Sequence, residues 1–392
     1  MNNLQANGWD LRDLKYIQLE PEVESQLLLK KGDLLFNRTN SKELVGKCDV
    51  FREDGNWVFA SYLIRVRLDE DKALPLFVSD FLNTSAGRIQ IDRVSRQIIG
   101  MSNVNAEELR DLLIPLPPLD VQHALVDEME AARNERRRKF AEADELLQSL
   151  DGWLFAQLGI NQPPVDKYKV FAIRLGDIDD ALNPERYSGL RLERAITGMQ
   201  VGGVGTILDS KISPSKAAPN ELWDRIRIDD LSNNPLEVEL VQTELGSQID
   251  GSFFQVNDND ILLARLGPTI QNAKFVLCPQ TQRQTVASSE FLVLRCHPDW
   301  LPEAVLAVLR TKLYRDLMYS KSRGATPSRY RLNAADFAKL PFPVISYDLQ
   351  EQIAAESVRR RNEVRRLRQE AEAGWQAAKR RFEEQLLMGD AA

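Results

Sequence analysis

The chain has 392 residues, 43% hydrophobic and 28% charged, with 51 Lys and Arg set against 58 Asp and Glu. No apolar run approaches the ~18 residues that a membrane-spanning helix needs, and the polar first residues do not read as a signal peptide, so a cytoplasmic protein without a membrane partner is expected. Cys48, Cys278 and Cys296 lack C-x-x-C spacing, and His123 and His297 stand alone, which argues against structural zinc and a histidine metal cluster. The net charge of −7 does not by itself suggest nucleic acid, but binding answers to local fields rather than to the average.

Residues 1 to about 113 read as mixed α/β. Lys31-Gly32-Asp33 is a turn before the apolar run Leu34-Leu35-Phe36, which ends in Asn37-Arg38-Thr39-Asn40-Ser41-Lys42. The stretch Trp57–Leu68 predicts a strand pair or one long bent strand, and Leu74–Gln90 a helix. A polar loop follows around Gly100-Met101-Ser102-Asn103, and Asn105 is placed to cap a short helix. Pro115, Pro117 and Pro118 then forbid helix up to Leu119, because proline lacks an N–H and pushes its predecessor into extended geometry. With Asp120 as N-cap, a helix is expected from there to about Leu158, spanning roughly 55–60 Å. Val126, Met129, Phe140, Ala143, Leu147, Leu150 and Leu154 make its apolar stripe, which Arg133 and Arg136 interrupt.

The same order recurs with a constant offset of 228. Asn105 matches Asn333, Pro115 matches Pro343, Asp120 and Gln122 match Asp348 and Gln350, and Arg133-Asn134-Glu135 matches Arg361-Asn362-Glu363. At an offset of 227, Asp33 falls on Asp260, Arg38 on Arg265 and Leu74-Pro75 on Leu301-Pro302. The second helix carries its own stripe through Val364, Leu367, Ala371, Trp375, Ala378, Phe382 and Leu386. The second globular part begins near Val165, after Pro163-Pro164, and about sixty of its residues lack a counterpart earlier in the chain. The expectation is a first part lacking its N-terminal portion, through a misassigned start, a real truncation or a split gene.

Two constellations bear on nucleic acid. Arg310 to Arg331 holds Arg310, Lys312, Arg315, Lys321, Arg323, Arg329 and Arg331 against the single acid Asp316, with Tyr314, Tyr319 and Tyr330 interleaved. Its loop, Ser322 to Ser328, reads as flexible and polar. Arginine makes bidentate contacts to guanine or phosphate, and hydroxyls suit phosphate oxygens and base edges. The plain alternative is a solvated helix face. The second is the pair Arg38 and Arg265, each ending the duplicated strand, beside Thr39-Asn40-Ser41-Lys42 and Gly267-Pro268-Thr269; a salt-bridged strand end is the competing account. Signals for catalysis are poor. Asn183-Pro184-Glu185-Arg186 departs from the Asn-Pro-Pro-aromatic core of amino-methyltransferases, Glu70-Asp71-Lys72 sits in a charged turn, and Gly202-Gly203-Val204-Gly205-Thr206 has no following lysine.

The runs Lys31–Ser41, Phe59–Arg65, Gly100–Asn105 and Ile114–Leu119, followed by a glutamine-bearing long helix, resemble the specificity subunit of type I restriction-modification enzymes. The resemblance implies an α+β chain: two α/β target-recognition domains, the first incomplete, separated by two long helices packed as an antiparallel coiled coil. It places the first recognition domain at 1–118, the central helix at 119–160, the second recognition domain at 165–345 and the C-terminal helix at 346–388. It implies a non-catalytic subunit reading a bipartite double-stranded DNA target, with the helix pair as a ruler. Methylation would belong to modification subunits carrying S-adenosylmethionine, and ATP- and Mg-dependent translocation and cleavage to restriction subunits; no cofactor or metal is expected on this chain. DNA contacts are expected from Arg38, Thr39, Asn40, Ser41, Lys42, Ser102, Asn103, Arg265, Thr269, Lys321, Ser322, Arg323, Thr326, Ser328, Arg329 and Tyr330. The alternatives are a truncated or silent specificity cassette or half-subunit, and a restriction enzyme with its own catalytic domain.

Overall fold

A computed structural model describes residues 3–5, 8, 9, 11, 14–98, 100–160, 193, 196, 198–232 and 237–388. The Asn183–Arg186 motif and the start of the second globular part near Val165 lie outside the described residues. The chain divides into two compact units, residues 1–140 with 369–392, and residues 141–368.

Unit 1 is built on a three-stranded antiparallel sheet in the order Cys48–Val50, Leu34–Asn37, Leu63–Val66. The helix Pro75–Leu82 covers it, burying Phe77, Val78 and Phe81 against Leu34 and Phe36. Only Leu63–Val66 of the expected Trp57–Leu68 strand forms; Val58 makes one isolated bridge to Leu28. Unit 2 differs at this place. There, Thr285–Ser288 lies between Phe253–Val256 and Leu222–Ile226, whereas unit 1 has no counterpart of Leu222–Ile226 among its described residues. Among the described residues Val58 has only its isolated bridge to Leu28, too few ladder bonds to offset the entropy of ordering a strand there. The expected helix Leu74–Gln90 is two, Pro75–Leu82 and Ser85–Val94. Thr84 caps the second by accepting the Gly87 N–H on its side chain. Gly87 lies against the first helix so closely that a Cβ there would stand 2.4 Å from the Phe81 carbonyl oxygen.

Unit 2 holds a four-stranded antiparallel sheet, Gly205–Ile207, Phe291–Cys296, Ile261–Ala264, Phe275–Leu277, in that order. A five-stranded sheet runs Lys211–Ile212, Phe253–Val256, Thr285–Ser288, Leu222–Ile226, Gln242–Leu245. The helices Pro302–Arg310 and Lys312–Lys321 close over the first sheet around Tyr314, Leu317 and Phe342. Tyr314 is fully buried, and its hydroxyl donates to the Pro341 carbonyl at 2.8 Å.

The long helices are Leu119–Leu158 and Tyr347–Met388. Asp120 stands inside the first turn rather than at the cap, where its charge still faces the positive end of the helix dipole. Within unit 1, Glu128 pairs with Arg381 at 2.5 Å, Arg136 with Glu372 at 2.9 Å and Lys139 with Glu370 at 2.9 Å. Within unit 2, Asp144 pairs with Arg368 at 2.5 Å, and Arg360 donates to Leu146 O and Ser149 Oγ at 3.1 and 2.8 Å. Partner numbers fall as the first helix's numbers rise, so the helices are antiparallel in each unit. The interrupting arginines are absorbed rather than exposed: Arg133 pairs with Asp80 and Glu130 and lies over the Trp375 ring, while Arg136 lies over Phe140. Burial pulls the Arg133 guanidinium down to about 10.

Candidate nucleic-acid interface

Each unit carries the same small construction at the end of its central strand. In unit 1 the chain leaves Leu34–Asn37 through Arg38, whose N–H donates to Tyr62 O at 3.0 Å and whose carbonyl accepts Val104 N–H at 2.9 Å. Thr39–Asn40 then pairs with Met101–Asn103, which pairs in turn with Arg96–Ile98. In unit 2 Arg265 donates to Glu290 O at 3.2 Å and accepts from Leu332 N–H at 2.9 Å, and Arg331 bridges both Leu266 and Arg323. The position equivalent to Arg96 is Arg323. Arg96 pairs with Glu108 at 2.7 Å, and Arg323 with Asp336 at 3.6 Å. Each acid stands three residues after an asparagine cap, Asn105 or Asn333.

Not every candidate side chain faces outward. Ser102 and Ser322 are buried, and the Ser322 hydroxyl is spent on Met318 O at 2.8 Å. Thr269 donates to Leu266 O at 2.7 Å, a bond that serves the first turn of its helix. Asn103 Nδ2 donates to Thr39 Oγ1 at 2.6 Å, tying adjacent strands, and Asn40 Oδ1 accepts the Ser41 N–H at 2.9 Å. Lys42 is exposed beyond them. Among the described residues, both polar atoms of the Asn37 amide, Arg38 Nε and Ser102 Oγ in unit 1, and Arg265 Nε in unit 2, are buried without a hydrogen-bond partner in the protein.

The basic run sorts itself by burial. Arg310 donates to Phe275 O at 2.9 Å, and its guanidinium is pulled down to about 10 by burial; Arg315 donates to Gln271 O. Lys312 pairs with Asp316, and Lys321 with Glu193 at 2.6 Å. Arg323, Arg329 and Arg331 are exposed, and Thr326 and Ser328 beside them share a hydroxyl hydrogen bond at 3.2 Å. Local bonds tie their loop together. Arg323 and Arg331 exchange backbone bonds of 3.0 and 2.8 Å, Pro327–Arg329 forms a 3-10 turn, and Tyr330 packs on Tyr319 with centroids 5.8 Å apart. Gly324 permits the closure, since a Cβ there would meet Arg329 O at 2.4 Å.

The remaining sequence motifs have ordinary surroundings. Lys72 pairs with Asp69 and Lys31 with Asp54, both at 2.7 Å, and Val201–Gly203 is a 3-10 turn. Burial pushes all three cysteine thiols up to about 12, so little reactive thiolate is present at neutral pH. Among the described residues, no three His, Cys, Asp or Glu side chains gather to hold a metal, and no helix is long and apolar enough to cross a membrane.

No protein-family model matches the chain. It is 26% identical over 194 residues to the type I restriction enzyme StySPI specificity subunit of Salmonella potsdam, covering 46% of this chain and 40% of that protein. It is 26% identical over 115 residues to the putative type I restriction enzyme MjaX specificity subunit of Methanocaldococcus jannaschii, covering 29% and 27% respectively. These alignments span less than half of the curated relatives' length. A solved chain from work on complex assembly and conformational transition of the type I R-M system superposes over 92% of this chain and 81% of its own, with a TM-score of 0.53 at 15% identity. That likeness establishes the α+β fold. In sequence, the chain is a relative of the specificity subunits of type I restriction enzymes.

Proposed function

We propose that the chain is the DNA-recognition subunit of a type I restriction-modification complex, each unit reading one half of a bipartite site. Methylation and cleavage would be carried out by partner subunits that bring S-adenosylmethionine, ATP and Mg, with this chain non-catalytic. The observation that carries the reading is the duplicated construction described above: Arg38 with Thr39–Asn40 against Asn103 and Arg96, and Arg265 with Leu266 against Arg331 and Arg323. Two copies of one reader suit a target in two parts, as paired modules set half-site spacing in other DNA-binding proteins. Arg323, Arg329, Thr326 and Ser328 in unit 2, and Thr39, Asn40, Ser41, Lys42 and Asn103 in unit 1, are the side chains proposed at the DNA. The two domains and two helices anticipated at 1–118, 119–160, 165–345 and 346–388 are retained as part of this proposal. The comparisons do not favour a silent cassette or a self-sufficient restriction enzyme.

The test is selection from a random duplex library by the chain assembled with its methyltransferase subunits. The expected result is an enriched motif in two blocks with a fixed gap, of which Arg323→Ala and Arg329→Ala blur one block only. A single block, or no enrichment, would reject the reading.

A further inference from the structure

Arg96 and Arg323 hold the same place in the two units. The strands of unit 1 meet on the rung Thr39, Asn103, Arg96, and those of unit 2 on the rung Leu266, Arg331, Arg323. Residues directly opposite on neighbouring strands project to one face, so Arg96 shares a face with Thr39 and Asn103, both proposed at the DNA. The two arginine side chains are 73% and 57% exposed, whereas the acids paired with them, Glu108 and Asp336, are each 15% exposed.

The acids are anchored by their caps. Glu108 Oε2 accepts the Asn105 N–H at 2.8 Å, and Asn105 Oδ1 accepts the Glu108 N–H at 2.9 Å, the reciprocal bonds of a capping box. Asp336 Oδ2 accepts from Asn333 Nδ2, and the Asp336 N–H donates to Asn333 Oδ1, both at 2.7 Å. The arginine is therefore the half of each pair that can swing. An exposed ion pair holds it by no more than about fivefold, whereas a bidentate guanine contact discriminates by about 5- to 150-fold. The acid leaves that contact within reach, because a guanidinium has five N–H donors, the Arg96 pair engages Nη2, and the guanine edge carries no net charge. Phosphate differs: its negative charge is repelled by the carboxylate, which also offsets the pull of the guanidinium.

We propose that Arg96 reads guanine in unit 1 at the place Arg323 occupies in unit 2, and that Glu108 and Asp336 position these arginines and hold them off phosphate. The acids act as filters: they weaken binding to every duplex, and weaken it least where a guanine stands in register. Built-in repulsion of the wrong partner is a general route to specificity. The inference rests on the DNA-recognition reading and adds to it one base-reading residue and two positioning residues.

The chain assembled with its methyltransferase subunits is titrated, over a salt series, with the selected two-block duplex and with one whose unit 1 block, the block left sharp by Arg323→Ala, is scrambled. Arg96→Ala is expected to weaken binding to the selected duplex at least about fivefold more than binding to the scrambled one. Glu108→Gln keeps the cap, because a glutamine there also accepts the Asn105 N–H. It should strengthen binding to the scrambled duplex by about two- to fivefold, more than to the selected one, and steepen the salt slope by about one. Asp336→Asn should do the same when the unit 2 block is scrambled, and it keeps the test decisive if Glu108→Gln disturbs folding. Equal weakening of both duplexes by Arg96→Ala overturns the inference while the recognition reading stands. So do folded acid variants that leave both the discrimination and the salt slope unchanged. A natural complex that enriches no two-block motif rejects the reading and the inference together.

Discussion

Gln122 Oε1 accepts the backbone N–H of Leu74 at 2.9 Å, and the same amide donates to the carbonyls of Lys72 and Pro117 at 2.9 and 2.8 Å. Gln350 repeats the arrangement in unit 2 with Leu301 N–H, Asp299 O and Ile345 O. Each glutamine is buried and locks the proline-rich lead into a long helix against the start of the helix covering the central sheet. Replacing Gln122 by Ala takes the side-chain partner from one donor and two acceptors that are partly buried, and a loss of roughly 1–3 kcal/mol is expected. Denaturant unfolding of the full chain measures it. A loss below about 0.5 kcal/mol would mean that the lock contributes little.

Asp33 and Arg67 form a second duplicated device, answered in unit 2 by Asp260 and Arg295 at 2.6 Å. Burial works to raise the Asp33 carboxyl, but the Arg67 hydrogen bond, the Lys30 N–H and the charges of Arg67 and Arg65 outweigh it, and the net shift is downward. A carboxyl lowered on folding stabilises the fold fully above its unfolded value of about 3.9 and loses that contribution as pH falls through the lower folded value. The unfolding midpoints of the natural chain and of Asp33→Asn should therefore differ at neutral pH and draw together below about pH 4. A gap that stays constant through the acid range contradicts the account.

Phe382, near the end of the second long helix, packs on Phe77 in the core of unit 1 with ring centroids 5.7 Å apart. Leu154, near the end of the first, is buried in the core of unit 2. Each core thus takes the beginning of one long helix and the end of the other. Phe382→Ala is expected to cost about 3–5 kcal/mol. Hydrogen exchange should place the loss in unit 1, at the Leu34–Asn37 sheet, ahead of the strands of unit 2. Equal loosening of both sheets would speak against separate cores.

Arg310 and Arg329 belong to one basic run but should behave oppositely. Arg329→Ala should leave stability unchanged and cost about 1–3 kcal/mol in binding to the preferred site. Arg310→Ala removes the partner of Phe275 O and should lower stability by roughly 1–3 kcal/mol. Binding isotherms and melting curves on both variants separate the two effects, and a specificity change at Arg310 with unaltered stability would reverse the assignment.

Much of the architecture was readable because it is written twice. The offsets of 228 linking Gln122 to Gln350 and of 227 linking Arg38 to Arg265, the prolines before each long helix and the apolar stripes are local patterns with short-range causes. Helix geometry and proline sterics act within a few residues, so one-dimensional spacing suffices to reveal them. What Gln122 does was not readable, because its partners at Lys72 and Leu74 are brought to it only when the chain folds back.

The same division separates the site candidates. Residue type and spacing made Ser102, Ser322, Arg310 and Arg329 look alike as polar or basic candidates. Tertiary packing buried Ser102 and Ser322, bonded Arg310 to Phe275 O and left Arg323 and Arg329 exposed. It also decided that Trp57–Val66 would be half a strand in unit 1, whereas its counterpart in unit 2 is two strands. A strand exists only with a neighbour, and which neighbour a segment meets depends on distant parts of the chain; composition and periodicity carry no record of that meeting.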